Sequence, residues 1–368
     1  MRPWPTVRPT MRVTANQVTA ARLLLMPLLC GLVYADERMR LYGVAVGTLI
    51  GLTDLLDGWL ARKQGPTVLG GLMDPVADKV FIAVCYLPFA DRGWAPWWFV
   101  AAVLLRELVV PALRSSFERR GRQMPSEYLA KVKTWVQMAG FGLLILGPIV
   151  DRAWMLALLG GGSGALLTAS VAYRLARGRV WRSGVVGTLA FMGPLLAYLI
   201  GSREHFMISL FAAILGITWV SAWSYFRVGT RELLQSGSAF DLVRVAGATL
   251  LPLLAVPVLR PAGGMAWAAI ALVATELAHH GLDNLLAHHR RADEARAWGG
   301  RMLGEAALLS AALMWPAYAG PFALAALALG VACAVASFAT HRALYLDNSV
   351  RPAPTPPVPA SGVATGNG

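Results

Sequence analysis

Charge is scarce in this chain. Only 14% of its 368 residues are Asp, Glu, Lys or Arg, against about 25% in a soluble domain, while 57% are hydrophobic and the mean hydropathy is +0.55. This excludes an ordinary soluble globular protein and leaves a polytopic membrane protein. Cysteine is scarcer still. Cys30, Cys85 and Cys333 all sit in apolar runs without paired spacing, which excludes a disulfide framework and a cysteine-based zinc site. Acidic residues number 20 against 33 Lys and Arg, a net charge of +13. The basic residues are spread over the polar connections rather than gathered on one domain. The excess therefore reads as membrane topology and attraction to anionic headgroups, not as nucleic-acid binding.

Apolar runs approaching the length needed for a bilayer core of about 30 Å occur at 20–35, 42–60, 79–91, 94–113, 134–150, 153–173, 184–201, 206–226, 244–259, 264–286, 303–318 and 320–341. They predict an all-α protein with twelve spans. With the N-terminus inside, the inner segments collect 25 Lys and Arg and the outer ones six, namely Arg38, Arg40, Arg92, Arg152, Arg203 and Arg260. The inside-positive bias places both termini on the cytoplasmic side. The first run, preceded by basic residues and closed by Val33-Tyr34-Ala35, has the pattern of a cleavable leader, but the eleven spans after it favour a retained helix. Residues 346–368, rich in Pro, Gly, Ala and Ser, read as a disordered tail.

Against this background four aspartates stand out: Asp54 and Asp57 in Thr53-Asp54-Leu55-Leu56-Asp57-Gly58, then Asp74 and Asp78 in Asp74-Pro75-Val76-Ala77-Asp78-Lys79. Carboxylates beside hydrocarbon are costly, so a cluster there asks for a function. On a helix Asp54, Asp57 and Ala61 share one face; Asp74 and Asp78 share a face of the next helix, for which Asp74-Pro75 makes a plausible start. Four like charges brought together call for cations, and an oxygen-only set suits Mg²⁺ or Mn²⁺. Gly58 permits close approach of a ligand, and Arg62 offers a fork for phosphate oxygens. The set points to phosphoryl chemistry on the cytoplasmic side. The plainer alternative is that the aspartates pair with Arg62, Lys63 and Lys79 to stabilise a loop.

The run Asp54-x2-Asp57-Gly58-x2-Ala61-Arg62-x7-Gly70-x3-Asp74-x3-Asp78 resembles the signature of the CDP-alcohol phosphotransferase family. Asn16-x2-Thr19-x2-Arg22 is similar to the family's opening at the first helix, with Val18 where Leu is usual. Arg106-Glu107-Leu108-Val109-Val110 with Arg114, and Lys131-Val132-Lys133-Thr134-x2-Gln137, resemble the phosphatidylglycerophosphate synthases within it. The resemblance implies a six-helix catalytic core over 1–182. It also implies transfer of a phosphatidyl group from CDP-diacylglycerol to an alcohol with release of CMP. Asp54, Asp57, Asp74 and Asp78 would be metal ligands, Asp78 also the base, and Gly58, Ala61, Arg62 and Gly70 would line the CDP pocket. Arg106, Arg114 and Lys133 would hold the phosphate of glycerol 3-phosphate. Arg106 could instead pair with Glu107, and Lys131 and Lys133 could be membrane-side anchors. Inositol phosphate is the alternative acceptor, since an anionic acceptor of either kind needs the cations. The resemblance further implies the cytoplasmic membrane of a bacterium. It also implies a homodimer, unless the second half packs where a partner subunit sits.

Residues 183–345 form a second membrane domain. Leu24–Leu29 recurs as Thr249–Leu254, Asp54–Lys63 aligns with His280–His289, and Gly70–Met73 with Gly299–Met302. The pattern suggests a decayed copy of the catalytic fold from about 240. It keeps Asp283 but carries His280, Asn284 and His288 where Asp, Gly and Arg are needed, and Leu303 and Ala307 at the last two aspartate positions. Chance similarity of leucine-rich helices is the alternative. His279, His280, His288 and His289 could bind metal, but histidines at a helix end are more often interfacial. Twelve spans with a two-fold repeat also suit a cation-coupled transporter. That reading requires acids at mid-membrane with a matching set in the other half, whereas here the acids lie at a membrane edge.

Overall fold

The computed structural model describes residues 13–65, 67–118, 129–262, 265–288 and 300–345. Among them are thirteen α-helices and no strand. They are α1 (Ala15–Tyr34), α2 (Glu37–Gln64), α3 (Val68–Asp91), α4 (Trp97–Glu118), α5 (Leu129–Ile149), α6 (Arg152–Arg177), α7 (Arg182–Ile200), α8 (Arg203–Val220), α9 (Trp223–Ser236), α10 (Ala239–Ala262), α11 (Ala266–His288), α12 (Gly300–Met314) and α13 (Ala319–Tyr345). Eight of these are long and apolar enough to cross a membrane by length and composition. The aspartates of α3 and the charges of α4 dilute the apolar character of two others. Each of the twelve expected runs contains a helix, and the tail at 346–368 lies outside the described residues.

The helix not expected is α9. The apolar run 206–226 breaks at Ser221, whose hydroxyl donates to the Thr218 carbonyl at 2.9 Å. Beyond the break the sequence is amphipathic. Tyr225 and Leu233 are buried, Gly229 meets Leu113 of α4, and Trp223, Arg227, Arg231 and Leu234 face outward. Aromatic and basic residues on the free face of a short amphipathic helix suit a membrane–water boundary.

The best-buried part of the core is the C-terminal half of α3 with α4, where Ala83, Tyr86, Leu87, Phe99, Val103 and Leu108 are almost wholly inaccessible. The cause is their neighbours: α11 lies along α3 and α10 along α4, so the second half covers both helices. Arginines expected on the outer side are used there as ties. Arg92 donates to the Tyr34 carbonyl at 3.0 Å, Arg152 to those of Tyr198 and Leu199, and Arg203 to that of Gly147. Carbonyls in the last turn of a helix have no helical partner, which is why a guanidinium is useful at those points.

In the second half, α12 packs on α10 as α3 packs on α1, while α11 lies chiefly along α3 and α13. The side chains of Asp283, Asn284 and His288 lie outside the described residues, as does His289. The expectation that the histidines are interfacial does not hold for the two described. His279 and His280 are 2% and 4% exposed. The reason is a buried acid: Glu276, one turn before His280, receives Arg301 of α12 and lies 3.0 Å from His280 Nε2. Glu305, one turn after Arg301, is also buried. Removing one member of a buried ion pair strands the other. Arg301→Ala should therefore lower stability by about 3–5 kcal/mol, read as a lower melting temperature in detergent micelles, and Arg301→Lys should recover part of the loss.

Candidate active site

The site is assembled on α1, which packs against both α2 and α3. Thr14 caps α1 with a capping box to Gln17. Gln64, the last residue of α2, then staples the two helices: its Oε1 accepts from the Ala15 N–H at 3.2 Å and its Nε2 donates to the Val13 carbonyl at 2.9 Å. At the far end Tyr34 donates to the Asp91 carboxylate at the end of α3. With these ties made, the face of α1 carrying Thr19 and Arg22 lies against the carboxylates.

Asp54 and Asp57 are one turn apart on α2, and Asp74 and Asp78 one turn apart on α3. The helix α3 does not start at Asp74-Pro75. It starts at Val68, because Thr67 is an N-cap whose hydroxyl accepts from the Gly70 N–H at 2.9 Å. Pro75 therefore lies inside the helix, where it removes the N–H that would bond the Gly71 carbonyl. Thr19 Oγ1 lies 3.2 Å from Asp57 Oδ2 and 3.0 Å from Asp74 Oδ1; with one hydroxyl proton it donates to one of them at a time. Arg22 Nη1 donates to Asp54 at 2.5 Å, while Nη2 lies 3.1 Å from Asp78 and 3.7 Å from Asp57. Side-chain exposure is 2% for Arg22, 6% for Asp57, 35% for Asp54 and 53% for Asp78. Asp78 is thus the most open of the three acids on Arg22.

Among the described residues, the cation on Asp54, Asp57 and Asp78 is therefore Arg22 rather than Arg62, Lys63 or Lys79. Lys63 lies over the Trp59 ring at 3.8 Å, and Lys79 donates to the Pro75 carbonyl at 3.1 Å. Three carboxylates on one buried guanidinium, with Asp74 beside them on Thr19, leave an excess of negative charge. An all-oxygen donor set of that kind fits a hard divalent cation. Among the described residues no three acidic, histidine or cysteine side chains form a ready-made metal cage, so holding an ion requires the carboxylates to turn from Arg22 and Thr19.

Arg22 and Asp78 open into a cavity of about 560 Å³. Its other lining residues include four cations, Lys79, Arg106, Arg114 and Lys133. Glu107 organises two of them: Oε1 accepts from Lys133 at 2.7 Å, and Oε2 lies 3.3 Å from Arg106 Nη1. Arg106 is thus paired with Glu107 and also faces the cavity. Arg114 lies over the ring of Tyr225. The side chain of Lys131 lies outside the described residues. Gly71 lines this cavity, whereas Gly58, Ala61, Arg62 and Gly70 do not. Gly58, Ala61 and Arg62 follow Asp57 along α2. Gly70 instead seats the start of α1, since a Cβ there would fall 2.7 Å from Asn16 Oδ1 and 3.0 Å from Thr67 Oγ1. A second, apolar cavity of about 470 Å³ lies between α2, α5 and α6, and Phe81 and Met138 line both.

Thr19 and Arg22 were legible only as parts of the opening motif and had no role assigned from sequence. The signal that could have found Arg22 is a lone charge within an apolar run. Lys79 was visible only as a loop charge.

A helical membrane protein that opens a carboxylate cluster into a cation-lined cavity has the groups of a phosphoryl-group transferase. Comparison with known proteins gives the family. A model described as CDP-alcohol phosphatidyltransferase matches residues 12–172, which are α1 to α6. A probable phosphatidylglycerophosphate synthase of Mycobacterium tuberculosis is 36% identical over 143 residues, covering 37% of this chain and 68% of that protein. A putative cardiolipin synthase of Mycobacterium bovis is 31% identical, covering 43% of this chain and 76% of the relative. The CDP-diacylglycerol–glycerol-3-phosphate 3-phosphatidyltransferase of Bacillus subtilis is 30% identical, covering 36% and 75%. No solved structure matches the chain. The chain belongs to the CDP-alcohol phosphatidyltransferase family.

Two glycines of the signature separate local room from local crowding. Only Arg62 Nη1, at 3.6 Å, lies near a Cβ on Gly58, against the 2.7 Å contact at Gly70. Gly70→Ala should cost about 1–3 kcal/mol through overpacking, while Gly58→Ala should hold or raise stability by up to about 1 kcal/mol. Thermal unfolding of the two variants in the same detergent checks this.

Proposed function

We propose that the protein transfers the phosphatidyl group of CDP-diacylglycerol to glycerol 3-phosphate, forming phosphatidylglycerophosphate and CMP at the cytoplasmic face of a bacterial membrane. The observation that carries this reading is a single cavity lined both by Asp78 with Arg22 and by the cations Lys79, Arg106, Arg114 and Lys133. A phosphate dianion on the acceptor suits the cations, and its free hydroxyl then lies toward Asp78. The relatives from Mycobacterium tuberculosis and Bacillus subtilis whose names carry this activity support the same acceptor. The apolar cavity beside the polar one suits the donor's acyl chains.

In this mechanism Asp54, Asp57, Asp74 and Asp78 would hold Mg²⁺ or Mn²⁺, which when bound would supply charge stabilisation for the diphosphate and the departing CMP. Asp78 takes the acceptor's hydroxyl proton, that oxygen forms a bond to the β-phosphorus, and the bond from this phosphorus to the bridging oxygen breaks. Arg22 keeps the carboxylates of α2 and α3 oriented between turnovers. Gly58, Ala61, Arg62 and Gly70 border the nucleotide, with Arg62 free to meet phosphate oxygens. Lys133, Arg106 and Arg114 fix the acceptor phosphate.

Purified protein given CDP-diacylglycerol and Mg²⁺ or Mn²⁺ should release CMP with glycerol 3-phosphate faster than with inositol phosphate or serine. Faster release with inositol phosphate would reassign the acceptor, and no release with any alcohol would remove the enzyme reading. Asp78→Asn should lower kcat by at least about 100-fold, as for loss of a general base, while CDP-diacylglycerol still binds. Gly162 lines the apolar cavity, and among the described residues nothing lies within 4 Å of a Cβ built there. Gly162→Phe should therefore raise KM for a long-chain donor more than for a short-chain one.

A further inference from the structure

The segment matching the family ends at residue 172, but the wall of the polar cavity does not. Tyr225 of α9 is 4% exposed and lines that cavity. Its ring lies against the Arg114 guanidinium, with Cζ 5.7 Å from the ring centroid. The position of α9 is set by the same turn of α4: a Cβ on Gly229 would lie 3.1 Å from Leu113, the residue before Arg114. A Cβ there would require the Leu113 side chain or α9 to give by a few tenths of an ångström, so the two helices pack closely at this turn.

The neighbouring helix α8 makes a second contact with the cavity wall, at Gln137. Thr218, fully buried, accepts from Gln137 Nε2 at 3.1 Å, and the same nitrogen lies 3.4 Å from Glu107 Oε1. An ionised carboxylate only accepts, so Glu107 fixes which way the Gln137 amide faces. The corner between α8 and α9 thus touches the cavity lining through both Arg114 and Gln137.

We propose that Tyr225 is a positioning residue for the phosphorylated acceptor. Its ring holds the Arg114 guanidinium on the cavity wall, so that a small-alcohol phosphate meets a cation already in place. This inference rests on the acceptor reading above. An arginine on an open wall samples several rotamers and loses them on binding, whereas a ring against the guanidinium face removes them in advance. The second half of the chain, on this reading, supplies part of the acceptor site rather than a separate activity.

The test is steady-state CMP release by the full-length protein in detergent micelles, comparing wild type, Tyr225→Phe and Tyr225→Leu. The leucine variant should raise KM for glycerol 3-phosphate by about 2- to 30-fold, the range of a cation–π contact, leaving kcat and the donor KM almost unmoved. The phenylalanine variant keeps the ring and should restore most of the acceptor affinity. If Phe and Leu behave alike, or if kcat and the donor KM move with the acceptor KM, Tyr225 is packing only and the proposal is wrong. Should the leucine variant not fold, Tyr225→Met, whose side chain adapts to irregular space, carries the same expectation. A wild type that releases no CMP with any phosphorylated alcohol removes the acceptor reading and this inference together. An active wild type with unaffected variants removes this inference alone.

Discussion

A guanidinium that is 2% exposed needs anions around it, and Arg22 has three within 3.7 Å. The organisation of the catalytic half follows from that pairing. Neither α2 nor α3 could hold its two carboxylates at an apolar boundary without a counter-charge, and the cation comes from a third helix lying against both. The staple from Gln64 to the start of α1 and the bond from Tyr34 to Asp91 then read as register devices. They keep α1 from sliding by a turn, which would carry Arg22 about 5.4 Å along the axis and leave four acids to repel one another.

The signature aspartates were legible because their spacing is a property of two local helices. Helical periodicity puts Asp54 with Asp57, and Asp74 with Asp78, on common faces whatever the rest of the chain does. Arg22 was not legible in the same way, since 32 residues separate it from Asp54 and 56 from Asp78, and only helix packing brings them together. The start of α3 was misplaced because Asp-Pro is a strong local signal, yet Thr67 caps the helix two turns earlier. The helix α9 was absorbed into the run 206–226 because Trp223, Tyr225 and Phe226 at its start continue the aromatic and apolar composition, while its polar residues, Arg227, Arg231 and Glu232, come only after that run ends. The buried pairing of Glu276 with Arg301 was hidden for a further reason. Glu276 lies inside the apolar run 264–286 and Arg301 among the polar residues before the next run, 25 residues away, so that only helix packing pairs them.

The second half does not stand apart from the first. It covers α3 and α4 with α11 and α10, places Arg244 of α10 against Ser115 at 2.8 Å, and closes one wall of the polar cavity from α9. Ser115 directly follows Arg114, so the contacts from α9 and α10 converge on one stretch of α4. A helix carrying Arg106, Glu107 and Arg114 through an apolar region is a poor span by composition. Its partners offset that deficit with burial and hydrogen bonds.

Phe81 and Met138 line both the apolar and the polar cavity, and on the proposed reading, with a lipid donor in one and a water-borne acceptor in the other, this shared wall sets how the two substrates are counted. A donor arriving through the apolar side is dissolved in two dimensions, so its effective concentration is a mole fraction among lipids. The acceptor arrives from water and is counted in moles per litre. Turnover then responds to dilution of the donor by other lipids even when every aqueous concentration is constant, and membrane composition itself becomes a kinetic variable.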